Sequence, residues 1–553
     1  MNRQFPNDTI QWTCEATRLV ASQVLQNATH FALTKDVVQK LKFQNNSNEK
    51  NRRDRDNMQT VCGIDLGTQS CKAVVYDYEK KAIVAQSQAP LDIIAENDGT
   101  REQKTEWYDA AVKACFDKID ENIKKTIAAI GVSGQQHGFV PLDKKGKPVY
   151  NIKLWCDTST SAECDELTGA VGSEKKIIAK AGLPMRPGYT APKVLWLKNH
   201  KPKAFARLRH VLLPHNYINF LLTDEYWAEY GDASGTALFD VRERKWSSSV
   251  CKQISPDLEK WLPPLTASEK TAGRVSKAAA ELYGINEGIP VSSGGGDNMM
   301  SAIGTGAVRD GFLTMSLGTS GTLFGFSKKP VIDPTGNLAA FCSSSGGWLP
   351  LLCTMNCTVA SEEFRGLLGL DVKAFDTEAE KAPIGADGIV ILPFFNGERT
   401  PNLPNGRASV NGITAANFKR ENIARAALES AIFGMRIGLD GFKALGFKPK
   451  EIRLTGGGSK SPLWQNIAAN VMNLPVRIPV GSEAAAIGSA IQALWCLRKN
   501  SPGEAKKVTI EGLADEHVEL GSAIKPDKKS VDKYNKAYAV YSRYLRALSP
   551  LYK

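Results

Sequence analysis

Two carboxylates set among glycine-rich stretches are the features of this chain best suited to chemistry. Asp297 follows three glycines in PVSSGGGDNMMSAIGTG (290–306), where a strand pattern gives way to a helical one. A carboxylate there stands at the edge of a cleft, and the start of a helix favours its negative charge. Phosphoryl transfer needs alignment, charge neutralisation and one group to accept the attacking hydroxyl's proton. Asp297 is the candidate for that base, the plainer reading being a helix cap. Asp65, in IDLGTQS (64–70), is the candidate to orient magnesium and its waters beside phosphates.

Two turns read as phosphate cradles. IDLGTQSCKAVVYD (64–77) and MSLGTSGTLFGF (315–326) each place LGT and a small polar residue between strand patterns. Gly67 and Gly318 allow close backbone approach by an anion, and Thr68, Ser70, Thr319 and Ser320 add hydroxyl donors. Either turn alone reads as an ordinary β-hairpin. As a pair half a chain apart they suggest two related domains facing a shared cleft that holds the phosphates of ATP. TGGGSKSPLWQNIAANVM (455–472) supplies Gly456, Gly457 and Gly458 before a helix with Ser461 as N-cap and Pro462 in its first turn. Such a turn admits a nucleoside or a phosphate, although a plain strand-to-helix turn explains it equally well. It matches neither the dinucleotide fingerprint nor the Walker A loop. GQQHG (134–138) puts Gln136 and His137 at the carboxyl end of a strand, where open α/β sheets place ligands. An amide and an imidazole suit hydroxyls that both donate and accept hydrogen bonds.

These groups need a scaffold of two large domains, which 553 residues can supply. VCGI (61–64), KAVVYD (72–77), AAIGVS (128–133), FLTMSL (312–317), GIVILPFF (388–395) and EIRLT (451–455) read as strands. Helices are expected over 109–125, 420–444 and 462–473, with a last one over about 531–548 whose Tyr534, Tyr538, Tyr541, Leu545 and Leu548 share a face. The expected class is α/β, with a first domain over 58–305 and a second over 306–553. Residues 1–57 differ. They are rich in Asn, Gln and Thr, carry candidate helices at 9–26 and 34–43, and end in NNSNEKNRRDRDN (45–57). An appended flexible segment, or a start assigned upstream of Met58, accounts for them, whereas Asp8 and Glu15 argue against a transit peptide.

Composition narrows the rest. Hydrophobic residues at 42% and charged residues at 23% are ordinary globular values. The net charge of +12 is scattered rather than gathered into a stripe, so a solvated surface is expected and no nucleic-acid partner. No apolar run approaches the roughly 20 residues that span a bilayer, and no membrane partner is expected. Eleven cysteines, an odd count without paired CxxC sets, fit reduced thiols in a cytoplasmic protein.

Taken together, the motifs resemble the FGGY carbohydrate kinases, which share the two-domain, ribonuclease H-like fold of hexokinase, actin and the seventy-kilodalton heat-shock ATPases, with an interdomain catalytic cleft. GYTAPKVLWLKNH (188–200) and ASVNGITAANFKRENIARAALE (408–429) carry two family signatures in order, and NGERTP (396–401) is a further family-like segment. Within the family, LWCDTST (154–160), LLPHNYINFLLTDEY (212–226), GDASGT (231–236) and GGGDN (294–298) are most similar to the kinases of D-xylulose. The resemblance implies ATP-dependent phosphorylation of a small ketose with Mg²⁺ as cofactor, by a monomer or homodimer. It makes Asp297 the base, Asp65 the phosphate-loop aspartate, Gln136, His137, Asp297 and Asn298 contacts of the ketose, and Gly456 and Gly457 contacts of the adenine nucleotide. Arg186 aligns loosely with a sugar contact. Cys156, Ser159, Gln136, His215 and Asn216 depart from common family residues on the sugar side, so D-ribulose, L-ribulose, gluconate or glycerol stay open as substrates. A non-catalytic sugar- or nucleotide-binding regulator is the alternative of another class.

Overall fold

The computed structural model describes residues 58–481 and 483–552; the candidate helices at 9–26 and 34–43, and the reading of 1–57 as an extension, lie outside the described residues. The first sheet begins with β1 (Thr60–Leu66), β2 (Ser70–Asp77) and β3 (Ala82–Pro90), which run antiparallel in turn. β4 (Ile127–Gly134) joins β1 in parallel, β6 (Pro290–Ser292) continues in parallel, and β5 (Thr271–Arg274) closes the edge antiparallel to β6. β1 and β4 are buried along nearly their whole length, as expected of central strands covered on both faces.

The second sheet repeats this plan. β7 (Phe312–Leu317), β8 (Gly321–Gly325), β9 (Ala339–Cys342), β10 (Trp348–Thr354), β11 (Glu451–Thr455) and β12 (Val476–Arg477) stand in the order β9-β10-β8-β7-β11-β12. β7, β8 and β10 are antiparallel, and β11 and β12 are parallel to β7. The two LGT turns therefore occupy the same topological place, each closing the first hairpin of its sheet at Leu66↔Cys71 and Leu317↔Gly321.

The helices that matter to the site are α1 (Thr105–Asp117), α2 (Thr190–His200), α3 (Pro214–Thr223), α4 (Asp297–Gly304), α5 (Arg420–Ala444), α6 (Pro462–Met472), α7 (Ala484–Lys499) and α8 (Lys528–Leu548). α1 lays Tyr108, Val112 and Phe116 on one face of the first sheet. α5, α6 and α8 cover the second sheet, where Tyr534 and Tyr541 are buried and Tyr538, Leu545 and Leu548 partly so. The helix expected over 109–125 is interrupted: the Asp120 carboxylate caps a separate turn at Glu121–Lys124 by accepting from the Asn122 and Ile123 amides. The strand expected over 388–395 shrinks to Val390–Leu392, since Pro393 has no amide to continue a ladder.

α7 does not stay with the second sheet. It packs behind the first, where its Ser489 hydroxyl donates to the Ile64 carbonyl at 3.4 Å and Gln492 Oε1 accepts from the Ser292 hydroxyl at 2.9 Å. Val61 and Ala129 of the first sheet share one core cluster with Met300 and Ile303 of α4 and Ile491 and Leu494 of α7. Glycines make this approach possible. A Cβ at Gly63 or Gly131 would collide with the Ala486 or Ser489 carbonyl, and α4 and α7 cross where Gly304 and Gly488 face backbone. Among the described residues no helix is long and apolar enough to cross a membrane.

Candidate active site

Asp297 is the first residue of α4, and the strand before it explains its position. Gly295 and Gly296 pair with Ser133 and Gly134 at the end of β4, bringing the GGG run alongside the GQQHG loop. Gly294, with φ of +72°, lies so near the Val132 carbonyl that only glycine fits. From below, Gln492 of α7 braces the run, accepting from the Gly294 amide at 3.0 Å and donating to its carbonyl at 3.1 Å.

The sequence candidates for the sugar side converge. Asp297, Asn298, Gln136 and His137 line one cavity of about 370 Å³, and Gly318, Thr319 and Ser320 of the second LGT turn line its other wall. Asn298 ties these groups together. Its backbone amide and its Nδ2 donate to Asp297 Oδ1 at 2.8 and 3.0 Å, Nδ2 also donates to Gln136 Oε1 at 2.6 Å, and Oδ1 accepts from the Thr322 hydroxyl at 3.3 Å. Gln136 is thereby oriented with its buried Nε2 lacking a partner among the described residues, a donor left for a ligand oxygen.

His137 is held in a left-handed conformation, φ +62°, which a non-glycine residue adopts only when its surroundings enforce it. Its carbonyl accepts from Lys193 Nζ at 2.8 Å and the Thr190 hydroxyl at 3.1 Å, both from the start of α2. Its amide donates to Asp232 Oδ1 at 3.3 Å, and its ring Nδ1 stands 3.3 Å from the same oxygen. Asp232 Oδ2 is 3.0 Å from His215 Nδ1, and Asn216 Nδ2 donates to His215 Nε2 at 2.8 Å, which fixes His215 as the neutral Nδ1–H tautomer. Burial works against ionisation of Asp232, yet its bonds to the two imidazoles hold it down at about 2. Burial lowers His137, with Asp232 opposing, and burial brings Lys193 down to about 7.

Asp297 is raised to about 7, first by burial and then by the negative charge of Asp65. Asp65 is raised as well, chiefly by burial, although the Ser133 hydroxyl donates to its Oδ1 at 2.7 Å and Lys72 lies close. Two carboxylates disfavoured in their charged forms are a donor set that a divalent cation relieves. Among the described residues no group of three or more His, Cys, Asp or Glu stands together as a metal site.

The first LGT turn differs from its expected role. The Thr68 hydroxyl donates to Gln135 Oε1 at 3.1 Å and accepts from Trp155 Nε1 at 3.0 Å, so it braces a cavity-lining indole and its proton is already committed. Gly67 donates its amide to the Ser70 carbonyl at 2.9 Å to close the turn. In the second turn the Gly318 and Thr319 carbonyls accept from the Thr358 and Cys357 amides, while the Thr319 and Ser320 side chains face the cavity.

A second hollow, of about 1150 Å³, runs beside the first sheet and is lined by Gly456, Gly457, Ser459, Lys460 and Gln465, with the Lys72–Glu483 ion pair (2.7 Å) on its other side. Gly458 does not belong to it: it is buried where any Cβ would strike the Trp464 ring, so its smallness serves packing. Ser461 caps α6 as expected, accepting from the Trp464 amide at 3.1 Å.

Sequence reasoning left out Trp155, Tyr189, Asp232, Lys193 and Arg399, all in or against the sugar-side cavity. All five sit inside segments whose pattern was visible, but nothing in a linear pattern says which residue of GDASGT or NGERTP turns inward. Arg186, loosely placed by sequence, does line the cavity, with its Nη1 paired to Glu174 at 2.7 Å.

Comparison with known proteins agrees with this geometry. Residues 60–304 match the N-terminal domain, and residues 313–497 the C-terminal domain, of the FGGY family of carbohydrate kinases. A xylulose kinase of Haemophilus influenzae is 44% identical over 501 residues, spanning 89% of this chain and 99% of the relative. A xylulose kinase of Streptomyces coelicolor is 34% identical over 443 residues, 79% of this chain and 88% of the relative. The crystal structure of a "xyloylose kinase" from Brucella ovis superposes with a TM-score of 0.82 at 28% identity, covering 89% of this chain and 100% of that one. The chain belongs to the FGGY family of carbohydrate kinases, and its fold is that family's two-domain, actin- and hexokinase-like α/β fold.

Proposed function

We propose that this kinase transfers the γ-phosphoryl group of ATP to the terminal hydroxyl of D-xylulose, giving D-xylulose 5-phosphate and ADP. One observation carries the reading: a single cavity contains Gln136 and His137, the Asp297 carboxylate and the Gly318–Ser320 turn. The high identity to xylulose kinases over almost their full length supports the choice of sugar.

In this mechanism Gln136 Nε2, His137 and Asn298 hold the ketose hydroxyls and turn O5 toward Asp297. Asp297 takes the O5 proton while O5 attacks the γ-phosphorus; the O5–phosphorus bond forms and the bond to the β,γ-bridging oxygen breaks, releasing ADP. The Gly67–Thr68 and Gly318–Ser320 turns cradle the phosphates, and Gly456 and Gly457 lie against the adenine nucleoside in the larger hollow. Asp65 would help hold Mg²⁺, and that cation would supply neutralisation of phosphate charge. Closure of the domains proposed at 58–305 and 306–553 shuts out water that would otherwise accept the phosphoryl group. The ten described cysteines are free thiols, in keeping with work in the reducing cytoplasm, as a monomer or homodimer.

The test is an ADP-release assay over D-xylulose, D-ribulose, L-ribulose, gluconate and glycerol. D-Xylulose is expected to give the highest kcat/KM. A tenfold better rival would replace it as the substrate, and tight binding of sugar and nucleotide without sugar-dependent ADP release would make the protein a regulator.

A further inference from the structure

Arg399 enters the sugar-side cavity from the second half of the chain. Its loop is fixed by the preceding residue: the buried Glu398 Oε1 accepts from the Met355 amide at 2.7 Å, the Arg399 amide at 2.7 Å and the Thr400 amide at 3.3 Å, and Oε2 accepts from Asn356 Nδ2 at 3.1 Å. With the carboxylate of Glu398 spent on these donors, the Arg399 side chain extends over the Tyr189 ring, 5.4 Å from its centre. The guanidinium abuts the loop of the first half as well, its Nη2 standing 3.4 Å from where a Gly188 side chain would begin. Its electrostatic partners, Tyr189 of the first half and Cys353 of the second, are a phenol and a thiol rather than a carboxylate.

A guanidinium has five donors and no acceptor, and one facing a cavity needs acceptors to replace water. Sugar hydroxyls both donate and accept, and Gln136, His137 and Asn298 suit them. A ketose has one group that only accepts, its carbonyl. With the terminal hydroxyl at Asp297, the carbonyl lies further along the carbon chain, inside the cavity that Tyr189 and Arg399 also line.

We propose that Arg399 is a specificity-determining residue that donates to the C2 carbonyl of the ketose, so that the enzyme separates a ketose from the alditols of the same skeleton. The inference rests on the ketose-kinase reading. The hydroxyl of an alditol accepts from Arg399 less well and brings a proton that finds no acceptor on the guanidinium. Because Arg399 belongs to the second half and abuts Tyr189 and Gly188 of the first, a seated carbonyl also adds a contact that favours the closed cleft.

The experiment compares D-xylulose with xylitol and D-arabitol in the wild type, Arg399→Met and Arg399→Lys. Loss of a charge-assisted hydrogen bond lowers kcat/KM for D-xylulose by about 10–100-fold in Arg399→Met, carried by KM. The alditol values change little, so the preference for the ketose collapses. Arg399→Lys recovers part of it, and the KM for ATP stays within about twofold in both. Equal losses on all three sugars, an unchanged ketose preference, or a fall in kcat joined to a higher KM for ATP each overturn the inference. If Arg399→Met fails to fold, judged by thermal melting and ATP binding, Arg399→Lys decides. A wild type inactive on D-xylulose sinks the parent reading instead, and Arg399 is then judged on the accepted ketose against its own alditols.

Discussion

Asp65 at the end of β1 and Asp297 at the start of α4 come from sequence positions far apart, yet the charge of the first, added to burial, holds the second at about 7 instead of the ordinary 3.8. A proposed base with its proton affinity near neutrality is matched to taking a hydroxyl proton and giving it up again. Replacing Asp297 by Asn keeps the size of the side chain and removes the acceptor. Turnover is expected to fall by about 10²–10⁴-fold, with ATP and ketose still bound in calorimetry. A folded Asp297→Asn protein with near-normal kcat would falsify the assignment.

The same relationship sets a pH dependence. Asp297 acts only when ionised, so kcat/KM is expected to drop about tenfold per unit below pH 7. Asp65→Asn removes the neighbouring charge and moves this acid limb to lower pH, whatever else it costs in rate. An acid limb that stays in place in Asp65→Asn protein shows that the two carboxylates are not coupled.

Stability carries the opposite sign from activity at this site. The folded pKa of Asp297 lies above its unfolded value, so between about pH 4 and 7 the native state holds a proton the unfolded chain has released, and Asp297 contributes less to stability as pH rises through that window. Asp297→Asn is therefore expected to raise the melting temperature at pH 8 by about 1–3 °C, with the gain vanishing toward pH 4. A pH-independent difference would mean that charge is not its source.

Gly235 is a quiet determinant of the sugar site. A side chain there would run into the His137 ring, which already packs against Phe341 and Tyr189 at centroid distances of 5.2 and 5.4 Å. Gly235→Ala is expected to displace the imidazole and lower kcat/KM for the ketose by about 10²-fold, leaving the KM for ATP alone. Steady-state kinetics in both substrates checks this, and an equal rise in both KM values would point to general distortion.

The adjacent glycines 457 and 458 should separate function from packing. Space beside Gly457 is open, whereas Gly458 meets Trp464. Gly458→Ala is expected to cost about 1–3 kcal/mol in denaturant unfolding. Gly457→Ala should leave stability intact and raise the KM for ATP severalfold. Reversal of that pattern would remove Gly457 from the nucleotide hollow.

The division between what could and could not be read in advance follows from contact range. Strands such as 312–317 and 451–455, the helix 420–444 and the Ser461 cap were legible because their signals are local: apolar runs, helical stripes and a capping side chain. The convergence of Asp297, Gln136 and His137 was legible because each stands at the end of a strand in an open α/β sheet. Lys193, Asp232 and Arg399 were not, since each acts through a partner more than fifty residues away or through a loop whose direction only tertiary packing decides. Thr68 shows the same limit from the other side: a hydroxyl in the right motif was already engaged by Gln135 and Trp155.

The docking of α7 behind the first sheet has a consequence for how the molecule is made. A ribosome that has released everything up to residue 305 has exposed β1 and β4 without the helix that Gly63 and Gly131 were shaped to receive. That surface stays uncovered until some 180 further residues have emerged, so the nascent first half must wait, or be shielded, before it can finish folding. A gene severed between the halves would inherit the same bare surface, and its pieces should be insoluble apart and recover only when produced together.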